Sequence, residues 1–248
     1  MKRMIQLMSM TVLLTLLAAC GGGVQESPES LRTPYDDQID LMQRAVDQYR
    51  ETTSGLLPIK TRESDTDLYI KYPIEFSNIV PKYTEKIPAN AYEKGGVFQY
   101  VIYDAEVEPR VKLVDIRAAE RIRELNLRKQ VNGKVPFGDE IAPNVYKIDF
   151  EAMGFKKPLT VPSPYSESQL PLVVAGNGQF YVDYSIDLAN ELKTTEFDVQ
   201  KDEDIRYILA EKYNVLPAYS LPYRLNEAGE PMMHYEITPR TSEEKAEN

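Results

Sequence analysis

The chain of 248 residues carries 29 basic and 39 acidic residues, a net charge of −10, with one cysteine, one histidine and no tryptophan. A surface of this sign repels nucleic acid and anionic lipid headgroups, so neither is expected as a partner. A single cysteine excludes both an intramolecular disulfide framework and a multi-cysteine zinc site. A length near 250 residues is sufficient for one large domain or two small ones with a well-buried core.

The first residues have the pattern of a secretory signal. Lys2 and Arg3 precede an apolar stretch, residues 7–17, that is too short to span a bilayer. The motif LAAC at residues 17–20 resembles the lipobox of bacterial lipoproteins. This resemblance implies cleavage before Cys20 and a diacylglyceryl group on its sulfur, which would anchor the protein in the lipid bilayer. Cleavage would leave 27 basic and 39 acidic residues, a net charge of −12.

Composition divides the rest of the chain into three parts. Residues 20–32, the lipidated cysteine followed by a stretch rich in Gly, Ser and Pro, are expected to form a flexible tether. Residues 33–238 are expected to form a single globular extracytoplasmic domain on the outer face of the cytoplasmic membrane. Residues 239–248 are a polar tail.

Three segments have the periodicity and end signals of helices. The first is predicted near 34–53 and ends at Ser54-Gly55. Its buried stripe is Ile39, Met42, Val46 and Tyr49, which Leu41 and Ala45 widen. The second is predicted near 115–129, with Asp115 as its cap and ion pairs Glu120–Arg123 and Glu124–Arg128. The third is predicted near 203–213, with acidic residues at its positive end.

Between the helices the pattern is that of strands. Residues 97–103 are rich in β-branched and aromatic residues, and residues 178–187 alternate between apolar and polar. The turn at 176–178 joins the latter to residues 172–175 in a hairpin. Residues 223–225 and 233–237 flank the turn at 226–229 and form a second hairpin. The fold class expected is α+β, with antiparallel hairpins forming a sheet and a few amphipathic helices packed on one face.

A weak internal repeat is also visible. YPIEF at 72–76 recurs as YKIDF at 146–150, which suggests that residues 72–104 and 146–187 are degenerate helix–corner–hairpin units. A fainter third copy begins at 216–219. The alternative is that Tyr, Pro and Ile are simply common in this chain.

No residue pattern predicts a catalytic, cofactor-binding or metal site. His234 is expected to be a half-exposed surface residue on a strand, because no orienting carboxylate or nucleophile is placed beside it by sequence. The acidic groups at 36, 37 and 40 and at 198, 202 and 204 suit helix starts and lack the spacing of a calcium loop. Either Asp149 with Glu151 or Asp183 with Asp187 could form the carboxylate pair of a glycosidase, but the sequence gives no distance between the carboxylates.

Tyrosine is unusually frequent, with 17 residues. Tyrosines could replace the missing tryptophans in a corner-rich core, which is the favoured interpretation. Alternatively, a rigid ring with a polar tip suits recognition of sugars or proteins, and a recognition surface would then lie near the proline corners at Tyr165, Tyr219 and Tyr223.

Five stretches together carry a family resemblance: SGLLPIKT (54–61), YPIEF (72–76), GGVFQYVIYD (95–104), VKLVDIRAAERIRELNLR (111–128) and LPAYSLPY (216–223). They resemble a group of uncharacterised lipoproteins of spore-forming Gram-positive bacteria, the YphF-like group. The resemblance runs through most of the mature chain and implies no activity or assigned site residues. Some members have been labelled transporter binding lipoproteins.

The function expected from these features is that of a membrane-anchored, non-enzymatic lipoprotein that binds a protein or polymer of the cell envelope. The alternative is a solute-binding lipoprotein of an ABC transporter, which would have a ligand-sized cleft between two lobes. A cell-envelope hydrolase is a third interpretation and requires two convergent carboxylates in a cleft.

Overall fold

The computed structural model describes residues 28–60, 62–64, 66–194, 199–200 and 202–235, and side chains from residue 35 onward. The helices are α1 (Pro28–Thr52), α2 (Arg117–Asn132), α3 (Ser185–Thr194) and α4 (Tyr207–Lys212). The strands are β1 (Phe98–Tyr103), β2 (Arg110–Asp115), β3 (Phe137–Ala142), β4 (Val145–Ile148), β5 (Thr160–Pro162), β6 (Gln169–Ala175), β7 (Phe180–Val182), β8 (Tyr223–Leu225) and β9 (Pro231–Met233). All pairings between these strands are antiparallel, which confirms the α+β prediction.

The hairpins do not share one sheet. Strands β1 and β2 form a two-stranded sheet, and β8 and β9 form another. The third sheet has five strands in the order β3-β4-β6-β5, with β7 also paired to β6.

Helix α1 confirms the first predicted helix and begins six residues earlier. Ile39, Met42 and Val46 are buried as the stripe predicts, but Leu41 is 41% exposed and lies outside it. The helix ends where Gly55, at φ +92°, donates its N–H to the Arg50 carbonyl oxygen at 2.9 Å. Glycine adopts this left-handed conformation without steric cost, so the predicted stop signal is confirmed.

Strand β1 is confirmed, and its partner β2 was not predicted from the sequence. Phe98 lies opposite Asp115 and Tyr103 opposite Arg110. The turn before β1 requires glycine, because a Cβ atom on Gly96 would lie 2.0 Å from the Asn90 backbone oxygen. The apolar core of this hairpin is formed with α1.

Helix α2 is confirmed, and it begins two residues later than predicted. Its N-cap is Ile116 and not Asp115, but Asp115 accepts a hydrogen bond from the Arg117 backbone N–H at 2.9 Å. The predicted ion pairs along the helix are replaced by one between Arg121 and Glu124, at 3.1 Å. Arg128 instead lies over the ring of Phe155, 5.1 Å from its centroid.

The hairpin at 172–182 is confirmed, but its second strand stops at Val182. Residues from Ser185 onward form α3, which the alternating pattern did not predict, and Ile186 is 46% exposed instead of buried. Asp183 accepts a hydrogen bond from the Ser185 backbone N–H at 2.9 Å. This interaction satisfies a donor at the start of the helix and therefore favours helix over a longer strand.

The C-terminal part of the chain differs in detail from the prediction. Helix α4 is six residues long and begins four residues later than predicted. Before it, Ile205 donates its N–H to the Tyr223 carbonyl oxygen at 2.9 Å, and Asp204 accepts the Tyr223 N–H at 3.0 Å, so these residues bind the start of β8. The hairpin β8–β9 is confirmed, with its second strand two residues earlier than expected. Residues 236–237 lie outside the described residues.

Residues 214–216 join this C-terminal part to β2. Leu113 donates its N–H to the Asn214 carbonyl oxygen and accepts one from the Leu216 N–H, both at 2.8 Å. The side chains around this junction form an apolar cluster from both parts of the chain, with Tyr69, Val101 and Val114 on one side and Ala210, Leu216 and Ala218 on the other.

The internal repeat stays a prediction. Residues 72–76 make isolated β-bridges and enter a short 3-10 helix, Phe76–Asn78, whereas residues 146–148 belong to strand β4. The two segments therefore differ in local structure.

Candidate functional site

A buried arginine joins three segments that are distant in sequence. The side chain of Arg206 is 1% exposed, and its guanidinium contacts Asp204 at 2.9 Å and Asp67 at 3.1 Å. It also donates to the Ser220 carbonyl oxygen at 2.9 Å and lies 4.8 Å from the ring centroid of Tyr69. Burial disfavours the charged form, but the two carboxylates outweigh burial and raise the pKa of Arg206 above its ordinary value. This arrangement stabilises the contact between the N-terminal and C-terminal parts.

The network continues from Tyr69 toward the surface. Tyr69 stacks on Tyr103, with ring centroids 6.0 Å apart, and the Tyr103 hydroxyl donates to Glu211 at 3.2 Å. Arg110 binds the Glu211 carboxylate through two hydrogen bonds of 2.6 and 2.8 Å. A bidentate pair of this kind fixes both side chains.

A second polar cluster surrounds Asp187. Its carboxylate is 2% exposed and accepts hydrogen bonds from Ser163 Oγ at 2.8 Å and Ser166 Oγ at 2.7 Å. Ser163 Oγ in turn accepts the backbone N–H groups of Tyr165 and Ser166. Asp187 therefore holds the loop between β5 and β6 against α3.

Glu191 lies one turn further along α3 and is also buried. It accepts a hydrogen bond from Lys212 Nζ at 2.5 Å and another from the Tyr213 hydroxyl. Burial raises the pKa of Asp187, and the negative charge of Glu191 adds to the shift, which the two serine hydrogen bonds oppose.

The raised pKa of Asp187 predicts a pH dependence of stability. Between the ordinary carboxyl pKa, about 4, and the raised pKa of Asp187, this carboxyl is ionised in the unfolded chain and still protonated in the folded one. The free energy of unfolding therefore falls as pH rises through this window. Asp187→Asn removes this titration while keeping a hydrogen-bonding group. We expect the free energy of unfolding of Asp187→Asn, relative to wild type, to rise with pH across this window in urea titrations between pH 3.5 and 7. Asp37→Asn, at an exposed position, is the control, and a difference that is constant with pH would contradict the prediction.

The tyrosines predicted at a recognition surface lie inside the protein. Tyr165 and Tyr223 are buried, and Tyr219 is half-buried with φ +58°. The Tyr165 hydroxyl donates to the Val215 carbonyl oxygen and the Tyr223 hydroxyl to Asp183. The rings of Tyr165 and Tyr223 fill the core, which agrees with the favoured interpretation, so the alternative of a recognition surface at these residues is corrected to a core role.

The other residues considered for chemistry have mainly structural partners. His234 is half-exposed, as predicted, and its backbone N–H donates to the Pro222 carbonyl oxygen. Among the described residues, no group of three or more His, Cys, Asp or Glu side chains is placed to hold a metal ion. Asp36 accepts from Asn214, Asp202 pairs with Arg224, and Asp198 lies outside the described residues, as does Cys20.

Acids of both carboxylate pairs also accept hydrogen bonds from neighbouring groups. Asp149 accepts the Ala152 backbone N–H, and Asp183 accepts both the Tyr223 hydroxyl and the Ser185 N–H. With Asp187 bound by two serines, three of these four acids stabilise turns and loops.

The edge of the five-stranded sheet that β3 forms is the candidate interaction site. Strand β3 is at the edge and pairs with β4 alone among the named strands, and five of its six residues are exposed. Phe137 is 46% and Ile141 38% exposed. Leu127 and Val131 on α2, which precedes β3 in the chain, are 54% and 80% exposed. This surface is not evident from the sequence, because the residues of an edge strand cannot be distinguished from those of a central strand before the pairing is known.

The fold defines an α+β protein built from antiparallel hairpins, with an N-terminal unit of α1, β1 and β2. Residues 35–115, which cover most of α1 and run to the end of β2, match the family model described as the YphF family N-terminal domain. This match confirms the family resemblance for residues 35–115, the part of the chain that corresponds to the N-terminal domain of that family. Comparison with curated proteins gave no match, and comparison with solved structures gave none either.

Proposed function

We propose that the protein is an extracytoplasmic lipoprotein, anchored through Cys20, that binds an extended segment of an envelope protein without catalysis. The anchoring is supported by the charged start, the short apolar stretch and the LAAC motif at residues 17–20. Among the described residues, none of the helices combines the length and apolar character needed to cross a bilayer.

Metabolic labelling with a lipid precursor tests the anchoring. Labelled protein should fractionate with the membrane, and globomycin should block its maturation. Cys20→Ser should remove the label. An unlabelled wild-type protein that begins at Met1 and fractionates with cytosol would contradict the proposal.

The open edge of β3 is the observation that supports a binding role. An edge strand presents unpaired backbone N–H and C=O groups, to which an extended peptide can add as a further strand. The exposed side chains of Phe137 and Ile141 offer apolar contact to such a peptide.

The acidic residues of β3 favour a partner other than a second copy. Asp139 and Glu140 lie in the middle of the strand, and the β3–β4 register shifts on both sides of Glu140. Charges and irregularities of this kind oppose pairing of identical edges, because like charges would face each other. A segment with basic residues would complement them.

Photo-crosslinking in cells tests the β3 edge. A crosslinking residue in place of Asp139 should capture a defined protein adduct, and the same residue in place of Val107, which is 63% exposed, is the control. An adduct captured equally from both positions, or from neither, would overturn the assignment of this edge.

The two alternative functions, a solute-binding lipoprotein and a cell-envelope hydrolase, receive less support. A two-lobed solute receptor of an ABC transporter normally contains repeated parallel strand–helix units, whereas the named strands here pair antiparallel. A hydrolase requires carboxylates available to substrate, whereas Asp183 and Asp187 are bound by tyrosine and serine hydroxyls.

A further inference from the structure

We propose that the outer face of α2 lies against the anionic headgroups of the membrane in which the protein is anchored. This inference rests on the proposed anchoring and adds a second, non-covalent membrane contact. We define the outer face by Arg123, Leu127 and Val131, which are four residues apart and therefore on one side of the helix, together with Lys134 just beyond its end.

Charge is unevenly distributed in this acidic protein. Residues 117–134 contain six basic and two acidic residues, although the whole chain has a net charge of −10. Arg117 is paired with Asp115 and Arg121 with Glu124. Arg123 and Lys134 are exposed and make no ion pair among the described residues.

A neighbouring segment places two lysines beside α2, and its exposed acids Asp149 and Glu151 lie earlier in the same segment. Asn132 donates to the Met153 carbonyl oxygen at 3.3 Å, and the guanidinium of Arg128 lies over Phe155. Lys156 and Lys157, which follow Phe155 directly, are both exposed. The C-terminal half of α2 is therefore flanked by further basic residues.

Apolar side chains lie within this basic region. Leu127 is 54% exposed and Val131, one turn later, is 80% exposed, the highest exposure of any large hydrophobic residue that the structure describes. A helix with a basic polar face and exposed apolar side chains is suited to the headgroup boundary of an anionic bilayer, where both kinds of group gain a partner.

The start of α1, which follows the predicted tether, lies near the start of α2. Tyr35, near the start of α1, packs on Phe98 with ring centroids 5.1 Å apart. Phe98 lies opposite Asp115, which pairs with Arg117, the first residue of α2. The eight residues from Cys20 to Pro28 can span at most about 28 Å. This distance is close to the length of α2 itself, about 24 Å, so the helix is within reach of the bilayer surface.

The overall negative charge does not prevent this contact. Electrostatic interactions between exposed groups are screened over about 8 Å at physiological ionic strength. A lipid surface in contact with α2 therefore interacts mainly with the local basic groups, and the repulsion expected from net charge alone applies to the other faces.

Binding to vesicles tests the proposal independently of the lipid anchor. The full chain carrying Cys20→Ser cannot be lipidated, and its binding is measured with vesicles of 30% phosphatidylglycerol in phosphatidylcholine and of phosphatidylcholine alone. Adding Arg123→Gln and Lys134→Gln should lower the partition coefficient on phosphatidylglycerol vesicles on the order of 10- to 30-fold, about fivefold for each charge. Lys86→Gln with Lys94→Gln, which removes two exposed charges elsewhere, is the matched control and should have less than a twofold effect.

The comparison between variants cancels any binding by residues 1–19, because every chain contains them. High salt should remove the difference between the two double variants, since the contact is electrostatic. Equal binding of both variants, or no preference for phosphatidylglycerol, would overturn the proposal. If the Arg123→Gln, Lys134→Gln variant lost a crosslinked protein partner while its binding to vesicles stayed unchanged, the proposal would also be overturned. The outer face of α2 would then be assigned to a protein partner. Failure of the anchoring itself appears separately, as absence of lipid label on the wild-type protein.

Discussion

Replacement of Arg206 by methionine is expected to lower the free energy of unfolding by about 3–5 kcal/mol. The guanidinium is 1% exposed and is the shared partner of Asp67 and Asp204. Methionine fills similar space but leaves both carboxylates and the Ser220 carbonyl oxygen without their donor. Leaving partly buried acceptors unpaired costs more than the ion pair itself contributes, so the effect should be large.

The measurement is urea unfolding at neutral pH, with Arg224→Met as the matched control. Arg224 also pairs with an aspartate, Asp202, but that carboxylate is 60% exposed. An exposed pair contributes about 0–1 kcal/mol, because water screens it and both side chains lose freedom. Equal effects for the two variants would show that Arg206 does not hold the two parts of the chain together.

Leu113→Ala is expected to lower the free energy of unfolding by about 2–5 kcal/mol. Leu113 is fully buried in the cluster formed by α1 and the first hairpin, and truncation leaves a cavity there. Its backbone also links β2 to residues 214–216, but alanine keeps these hydrogen bonds. The loss of stability therefore reports side-chain packing alone.

Thermal and urea unfolding measure this effect, and Leu127→Ala is the control. Leu127 is 54% exposed on α2, where substitution by alanine should change the free energy of unfolding by less than about 0.5 kcal/mol. A change at Leu113 as small as that at Leu127 would contradict the assignment of this residue to the core.

The sequence was most informative where local chemistry decides local structure. Helix α1 was predicted from its apolar stripe and its Ser-Gly stop, and the hairpins from the turns at 176–178 and 226–229. In each case the deciding interaction is between residues close in the chain, such as Asn226 Oδ1 accepting the backbone N–H groups of Ala228 and Glu230. Periodicity and turn residues encode such interactions directly.

Errors arose where a local pattern allowed two outcomes. Phe180, Val182 and Tyr184 alternate as a strand would and are buried, but the capping interaction of Asp183 begins a helix two residues later. The sequence of β2, RVKLVD, does not predict a strand by itself, because its backbone hydrogen bonds form only with the partner strand β1. Strand preference depends on such partners more than helix preference does.

The sequence by itself determined the family resemblance, helices α1 and α2 and the hairpins β6–β7 and β8–β9, together with a prediction of lipid anchoring at Cys20. Only the tertiary structure decided which polar residues are buried and which surfaces are open. Arg206, Asp187 and Tyr223 are ordinary polar residues in the sequence, and they become buried because segments far apart in the chain converge on them. The exposure of β3 and of the outer face of α2 has the same origin, since it depends on which elements pack beside them and not on their own residues.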